Sequence, residues 1–222
     1  MRIRRKKHLK ERIEKILDYV IVPPRDIVNV LEAIKDKRYF NYQDMFGNDN
    51  PVEMEIGCGK GGFVTEMAKL NPNKNFIAVE LLDNIIVMAG ELAKKQGLKN
   101  VKFVNSGAEY LPRYIMESSI DNIYLNFSPP YPSDAYENRR LTCDPRIESY
   151  KAFLKANGSI YQKTDDKDFF EYSFKQFVKH GFVVENVSEK IEKGEMANVQ
   201  TEYEKKFREQ GMPIYALIAT KR

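Results

Sequence analysis

Cysteine is scarce in this chain of 222 residues, with only Cys58 and Cys143 present. Two such residues neither cluster like metal ligands nor repeat with the dense spacing of a disulfide framework. The sequence therefore predicts no structural metal and suits a reducing cytoplasm. Long apolar runs are also missing: with 31% of residues charged, no stretch approaches the length of a membrane span. The start, Met1-Arg-Ile-Arg-Arg-Lys-Lys, is basic but lacks the apolar segment and small-residue cleavage site of a signal peptide. A soluble cytoplasmic protein without membrane contact is expected. Net charge is small too, at +4, and by itself identifies no partner. Its distribution says more. Arg2, Arg4, Arg5, Lys6, Lys7, Lys10, Arg12 and Lys15 stand against only Glu11 and Glu14, a net of +6 within fifteen residues. Such a run is either a solvated tail or an arm that neutralises nucleic-acid phosphates, and composition does not choose between them.

Apolar residues at 42% and aromatics at 12% suffice for the core of one α/β domain. Residues 1–50 read as a basic, partly helical extension, with a short helix over 11–17 and an interruption at Pro23-Pro24; residues 51–222 read as the main domain. In that domain Val52–Ile56, Phe76–Glu80, Val101–Val104, Ile120–Phe127, Ser159–Gln162, Phe182–Val187 and Ile214–Ala219 have the pattern of strands. Helices are predicted over 62–70, with Phe63, Met67 and Leu70 on the core face, and over 84–95, with Ile85, Met88 and Leu92 inward and Gly97 as the stop. A third, over 167–179, carries Phe170, Phe174, Phe177 and Val178 and stops at Gly181. Alternation of strand and helix implies a mostly parallel seven-stranded sheet with helices on both faces, because parallel neighbours need crossover connections.

Glu55-Ile56-Gly57-Cys58-Gly59-Lys60-Gly61-Gly62 joins the first of these strands to the first helix, as where a doubly wound sheet binds a nucleotide-like cofactor. Without Cβ atoms, Gly57, Gly59 and Gly61 allow positive φ and close approach of a ligand. Glu80, at the carboxyl end of the next strand, can accept ribose hydroxyls from NAD and S-adenosylmethionine alike. Glu55 favours the latter, since a carboxylate there suits the donor's cationic amino end and would repel a pyrophosphate.

After the strand over 120–127 comes Asn126-Phe127-Ser128-Pro129-Pro130-Tyr131-Pro132. Its three prolines stiffen the loop, and the Tyr131 ring is suited to stacking on a base. Ser128 to Tyr131 is either a rigid structural turn or a relative of the Pro-Pro-aromatic motif of methyltransferases acting on exocyclic base amines. The pair Arg139-Arg140 suits phosphate through its guanidinium forks, or a surface ion pair. Asp165, after a strand, and Glu202 and Glu204, before the last one, are carboxylates of the kind that accept protons from the Watson–Crick edge of guanine.

Taken in order, Phe46 to Pro51, Glu55 to Gly61, Asn71-Pro72 with Phe76 to Glu80, Ile123 to Ser128, Arg139 to Thr142, Lys163 to Asp165 and Thr201 to Glu204 resemble the bacterial tRNA (guanine-N7)-methyltransferase family. The resemblance implies a Rossmann-like class I methyltransferase using S-adenosylmethionine, with 51–222 as the methyltransferase domain and tRNA as partner of the basic start. It leaves monomer and homodimer open. By the same resemblance Glu55, Gly57, Gly59, Gly61, Glu80, Gly107 and Ala108 would hold the cofactor. Ser133, Arg139, Arg140, Asp165, Thr201, Glu202, Tyr203 and Glu204 would hold the substrate, and Ser128, Pro129, Tyr131 and Asp165 would lie where the chemistry occurs. The chain departs from the family where Asp-Pro-Trp-Pro-Lys is usual and Pro129-Pro130-Tyr131-Pro132-Ser133 stands instead. The family's catalytic Asp is Pro129, its Lys is Ser133, and the acid that usually faces the adenine is Gly107.

Guanine N7 has an in-plane lone pair and no proton, so its methylation needs alignment more than a base, and the loss of the Asp need not abolish it. An exocyclic amine must lose a proton, which is where Ser128 to Tyr131 would matter. Guanine-N7 methylation of tRNA is the leading expectation. Exocyclic-amine methylation and a non-catalytic RNA-binding relative are the alternatives.

Overall fold

The computed structural model describes residues 7–188 and 199–222. The basic residues Arg2 to Lys6 lie outside that range. The chain forms two compact units, residues 1–115 and 116–222.

In the first unit the elements are α1 (Leu9–Glu14), β1 (Val20–Ile21), α2 (Val30–Ala33), α3 (Tyr42–Phe46), β2 (Val52–Ile56), α4 (Gly62–Leu70), β3 (Asn75–Glu80), α5 (Asp83–Lys95), β4 (Val101–Asn105) and α6 (Leu111–Tyr114). The strands run parallel in the order β1-β4-β3-β2. β2 and β3 are almost wholly buried, as expected of parallel strands covered on both faces. Val20–Ile21 is an eighth strand, which the sequence pattern leaves inside the extension. Two residues are too few for periodicity, and the pairing rests on β4, with Phe103 N donating to Tyr19 O at 2.8 Å.

α5 turns a different face inward from the one its large apolar residues suggest. Ile86, Val87, Ala89, Gly90 and Ala93 are buried, whereas Ile85, Met88 and Leu92 are half-buried. The small residues decide this, because a Cβ on Gly90 would stand 2.6 Å from Val20 Cγ2 and 2.8 Å from Ile16 Cδ1. The extension thus packs directly on α5. Arg12 Nε adds a 2.7 Å bond to Glu91 Oε1. Leu70 in α4 is likewise exposed while Phe63 and Met67 are buried.

Residues 24–40 are tied down by Arg113, whose side chain is 1% exposed. It donates to Asp26 Oδ1 at 2.8 Å and Asp36 Oδ2 at 2.6 Å, and Arg38 bridges the same two acids at 2.9 Å each. The Arg113 hydrogen bond holds the Asp26 carboxyl down at about 2.

In the second unit come β5 (Ile120–Asn126), α7 (Asp144–Phe153), β6 (Leu154–Thr164), α8 (Lys167–Lys179), β7 (Val183–Asn186), α9 (Glu202–Glu209) and β8 (Tyr215–Thr220). Their order is β5-β6-β8-β7, with β5 and β6 parallel and β8 antiparallel to both neighbours. The described residues therefore hold eight strands where seven were expected. α8 buries Phe169, Phe170, Ser173 and Phe177 and leaves Val178 exposed. Among the described residues no helix is long and apolar enough to cross a membrane, and no group of three His, Cys, Asp or Glu is placed to hold a metal.

Candidate functional site

In the first unit the glycine turn follows β2 directly. Gly57 N and Cys58 N both donate to Val79 O, at 2.8 and 3.0 Å, so the turn is fastened to β3. Gly59 and Gly61 both have positive φ, at 56° and 80°, yet they serve different ends. A Cβ on Gly61 would lie 2.8 Å from Ala89 Cβ, so that glycine lets α4 pack on α5. A Cβ on Gly59 would meet nothing within 4 Å and would project into open space, the kind of cradle a ligand fills.

Two carboxylates flank the turn. Glu55 is 3% exposed on β2. Glu80 ends β3, its Oε2 accepting from Gly59 N at 3.1 Å and its Oε1 from Leu82 N at 2.9 Å. Burial raises the Glu80 pKa from its ordinary value, against the opposing pull of those backbone donors. Burial also pushes the Cys58 thiol well up, which keeps it protonated and makes it a packing residue. Such an arrangement, with acids on two adjacent strands around a bare backbone turn, fits a cofactor with a cationic amino group and a ribose.

Asn105 and Arg25 brace the backbone at the end of β3 that carries Glu80, a role missed in the sequence. Asn105 Nδ2 donates to Glu80 O and Leu81 O at 3.1 and 3.2 Å. Its Oδ1 accepts from Arg25 Nη2 at 3.0 Å. No local pattern marks Arg25, which lies 80 positions from its partner. Gly107 and Ala108, both buried, follow β4.

In the second unit the loop after β5 is held in an uncommon backbone shape. Phe127 and Tyr131 have φ of 49° and 43°, positive values that non-glycine residues seldom adopt. Phe127 N donates to Lys163 O at 2.8 Å, linking the ends of β5 and β6. Ser128 is buried and its Oγ has no hydrogen-bond partner. Pro129 and Ser133 are exposed, Tyr131 half-buried.

Arg140 is 8% exposed and turned inward. Its Nε donates to Pro130 O and Tyr131 O at 3.1 Å each, and the guanidinium lies 4.3 Å from the Tyr172 ring centroid. Tyr172 in turn donates to Glu137 at 2.8 Å, and burial with that carboxylate raises its pKa. Of the arginine pair, only Arg139 is exposed, stacked at 4.6 Å on Tyr136. The guanidinium expected at a phosphate is thus, at Arg140, occupied by the loop's own carbonyls.

Asp165 is half-buried just past β6. Thr201 caps α9, its Oγ1 accepting from Glu204 N at 2.9 Å. Thr201-Glu-Tyr-Glu204 has the Ser/Thr-x-x-Glu spacing of a helix start, a signal in the sequence that would have revealed α9. Glu204 is 1% exposed and does not reach back to its cap: Oε2 accepts from Lys163 Nζ at 2.9 Å and Oε1 from Arg208 Nη2 at 3.0 Å. Its charge is therefore balanced inside the protein. Tyr203 is 60% exposed, and its ring stacks at 6.4 Å on Phe127 and 6.2 Å on Phe207. The ends of β5 and β6 and the start of α9 thus converge, bringing Phe127, Lys163, Tyr203 and Glu204 together.

The 16S rRNA methyltransferase KamB aligns with a TM-score of 0.60 at 12% identity, covering 83% of this chain and 95% of that one. A precorrin-6y C5,15-methyltransferase from Geobacter metallireducens GS-15 aligns with a TM-score of 0.54 at 19% identity, over 90% and 94%. The fold is that of the class I methyltransferases. A family model described as "Putative methyltransferase" matches residues 49–217. The tRNA (guanine-N(7)-)-methyltransferase of Streptococcus thermophilus (strain CNRZ 1066) is 37% identical over 220 residues, 99% of this chain and 98% of its own length. That of Geobacillus sp. (strain WCH70) is 40% identical over 216 residues, 97% and 93%. This chain belongs to the tRNA (guanine-N7)-methyltransferase family.

Proposed function

We propose that this protein transfers the methyl group of S-adenosylmethionine to N7 of a guanine in tRNA. The observation that carries the reading is the open ground over Gly59 between Glu55 and Glu80, in a chain of this family. When bound, the donor supplies a sulfonium with an electrophilic methyl group. Glu55 would hold its amino end and Glu80 its ribose, with Gly57, Gly59, Gly61, Gly107 and Ala108 lining the seat. Residues 1–50 act as extension to a methyltransferase domain over 51–222, in a cytoplasmic protein that works as monomer or homodimer without a metal.

N7 presents its lone pair without a proton to remove, so the second unit's task is to hold the base. Tyr203 offers a ring to stack on. The purine gains positive charge as the methyl arrives, and a nearby carboxylate stabilises it. Since Glu204 is engaged by Lys163 and Arg208, that role goes to Asp165. Thr201 sets the start of α9 and so the placing of Glu202 and Tyr203. Pro129 occupies the place of the family's acid, which alignment-driven chemistry tolerates. Ser133 and Arg139, both exposed, remain for the RNA strand.

A second reading, methylation of an exocyclic amine, is favoured by one observation, the buried and unpartnered Ser128 Oγ at the start of Ser128 to Tyr131. Unmodified tRNA treated with protein and donor, then digested and analysed by mass spectrometry, separates them. The expected product is 7-methylguanosine. An amino-methylated nucleoside supports the second reading, and tight tRNA binding with no donor binding in calorimetry leaves only a non-catalytic RNA-binding protein.

A further inference from the structure

At Gly107 the backbone places no demand for glycine, and the absent side chain leaves room for a neighbour. Its φ of −76° and ψ of 149° are open to any residue. What occupies the side-chain space is the movable end of Glu109: a Cβ on Gly107 would stand 2.6 Å from Glu109 Cδ and 2.7 Å from its Oε2, so the carboxylate would have to swing aside. The Glu109 carboxylate is folded back into the volume where a side chain of residue 107 would begin. The short turn that carries it, Ala108–Tyr110, is anchored at both sides. Tyr110 N donates to Gly107 O at 3.1 Å, and Tyr110 Oη donates to Val28 O at 2.9 Å.

We propose that Glu109 is the group that recognises the adenine of the methyl donor, by accepting a hydrogen bond from its exocyclic amine. The proposal rests on the donor reading above and adds a residue to it. β2, β3 and β4 lie side by side and parallel, with Ile56 opposite Val79 and Glu80 opposite Asn105. Neighbouring strands are about 4.8 Å apart, so the ends of β2 and β4 are separated by about 10 Å. Open α/β sheets bind ligands at these carboxyl ends. Glu55 on β2, Glu80 at the end of β3 and Glu109 just past β4 thus present three acceptors in a row. The donor's own groups follow in the same order: a cationic amine, a ribose with two hydroxyls, then the base.

Chemistry selects the atom. A carboxylate only accepts hydrogen bonds. In an adenosine the ring nitrogens free of the sugar are all acceptors, and the amine at position 6 is the one hydrogen-bond donor on the ring. Glu109 therefore matches that amine and opposes a base carrying an oxygen there. Gly107 is part of the same device, since any side chain at 107 would drive the carboxylate away.

Calorimetry on the full chain with S-adenosylhomocysteine and with its deaminated analogue S-inosylhomocysteine tests this. The unmodified protein is expected to prefer the adenosyl compound by about 10- to 100-fold, the range of one hydrogen bond to a charged group. Glu109→Ala should bind both alike. Gly107→Ala keeps every carboxylate yet displaces Glu109, and should lose the same preference even if Glu109→Ala folds poorly. A preference absent from the unmodified protein, or undiminished in either variant, overturns the proposal. Failure of the unmodified protein to bind S-adenosylhomocysteine at all would instead remove the donor reading beneath it.

Discussion

Arg140 grips the carbonyl of Tyr131 with two nitrogens, Nε at 3.1 Å and Nη2 at 2.9 Å. Tyr131 sits at a φ of 43°, which its own side chain disfavours, so an outside restraint must hold the loop in this shape. Arg140→Ala is expected to lower kcat about 100-fold, as for a misplaced contact, with donor affinity unchanged. The salt dependence of tRNA binding distinguishes this from phosphate contact. Arg140→Ala should leave the slope of log affinity against log salt unaltered, whereas Arg139→Ala should reduce it by about 1. A reduced slope in Arg140→Ala would return that residue to the RNA surface.

Glu80 makes donor binding sensitive to pH. A carboxylate accepts ribose hydroxyls when ionised, and burial has raised its pKa, so it takes up a proton at higher pH than an ordinary glutamate. Donor affinity should weaken on acidification from a higher pH than an ordinary glutamate would set, and Glu80→Gln should flatten that dependence. Fold stability runs the other way. A raised pKa favours the folded state below the unfolded value, and the advantage is lost as pH rises through the folded one. Donor titrations at several pH values, paired with denaturant melts of the free protein, read both trends.

Gly59 and Gly61 separate binding from packing. Gly61→Ala combines a left-handed backbone with a Cβ 2.8 Å from Ala89 Cβ and 3.1 Å from its Cα, and should cost about 2–4 kcal/mol in denaturant unfolding. Gly59→Ala has the same backbone problem without the clash, so about 1–2 kcal/mol is expected, with a loss of donor affinity out of proportion to it. Equal stability losses would show that the two glycines share one role.

The basic arm is best tested by removing residues 1–6 alone. Leu9 is buried and Arg12 is bonded to Glu91, so a longer deletion would cut into the packed extension. Loss of Arg2, Arg4, Arg5 and Lys6 should weaken tRNA binding and lower the salt slope by as much as about 3. Unchanged slope with unchanged melting temperature would leave the arm a solvated tail.

Short-range patterns of the chain were enough for most of the frame. Alternating or continuous apolar runs marked β2 to β8, and helical spacing marked α4, α5 and α8, because those features depend on residues a few positions apart. The same holds for the glycine turn with Glu55 and Glu80, and for the ordered segments that carry the family likeness. α7 was missed, although Ile147, Tyr150 and Phe153 recur at helical spacing, because polar residues fill the rest and Pro145 opens it.

Partners distant along the chain were decided only by the tertiary structure. Which face of α5 lies inward depends on Ile16 and Val20 reaching Gly90. Whether Glu204 meets a base or a lysine depends on Lys163, 41 positions away, and whether Arg140 meets phosphate depends on the path of the loop ten residues earlier. A charged side chain has several partners of equal chemical merit, and its residue type states what it can bind. Folding brings one of them within 3 Å and buries the pair, and that proximity is a property of the packed chain alone.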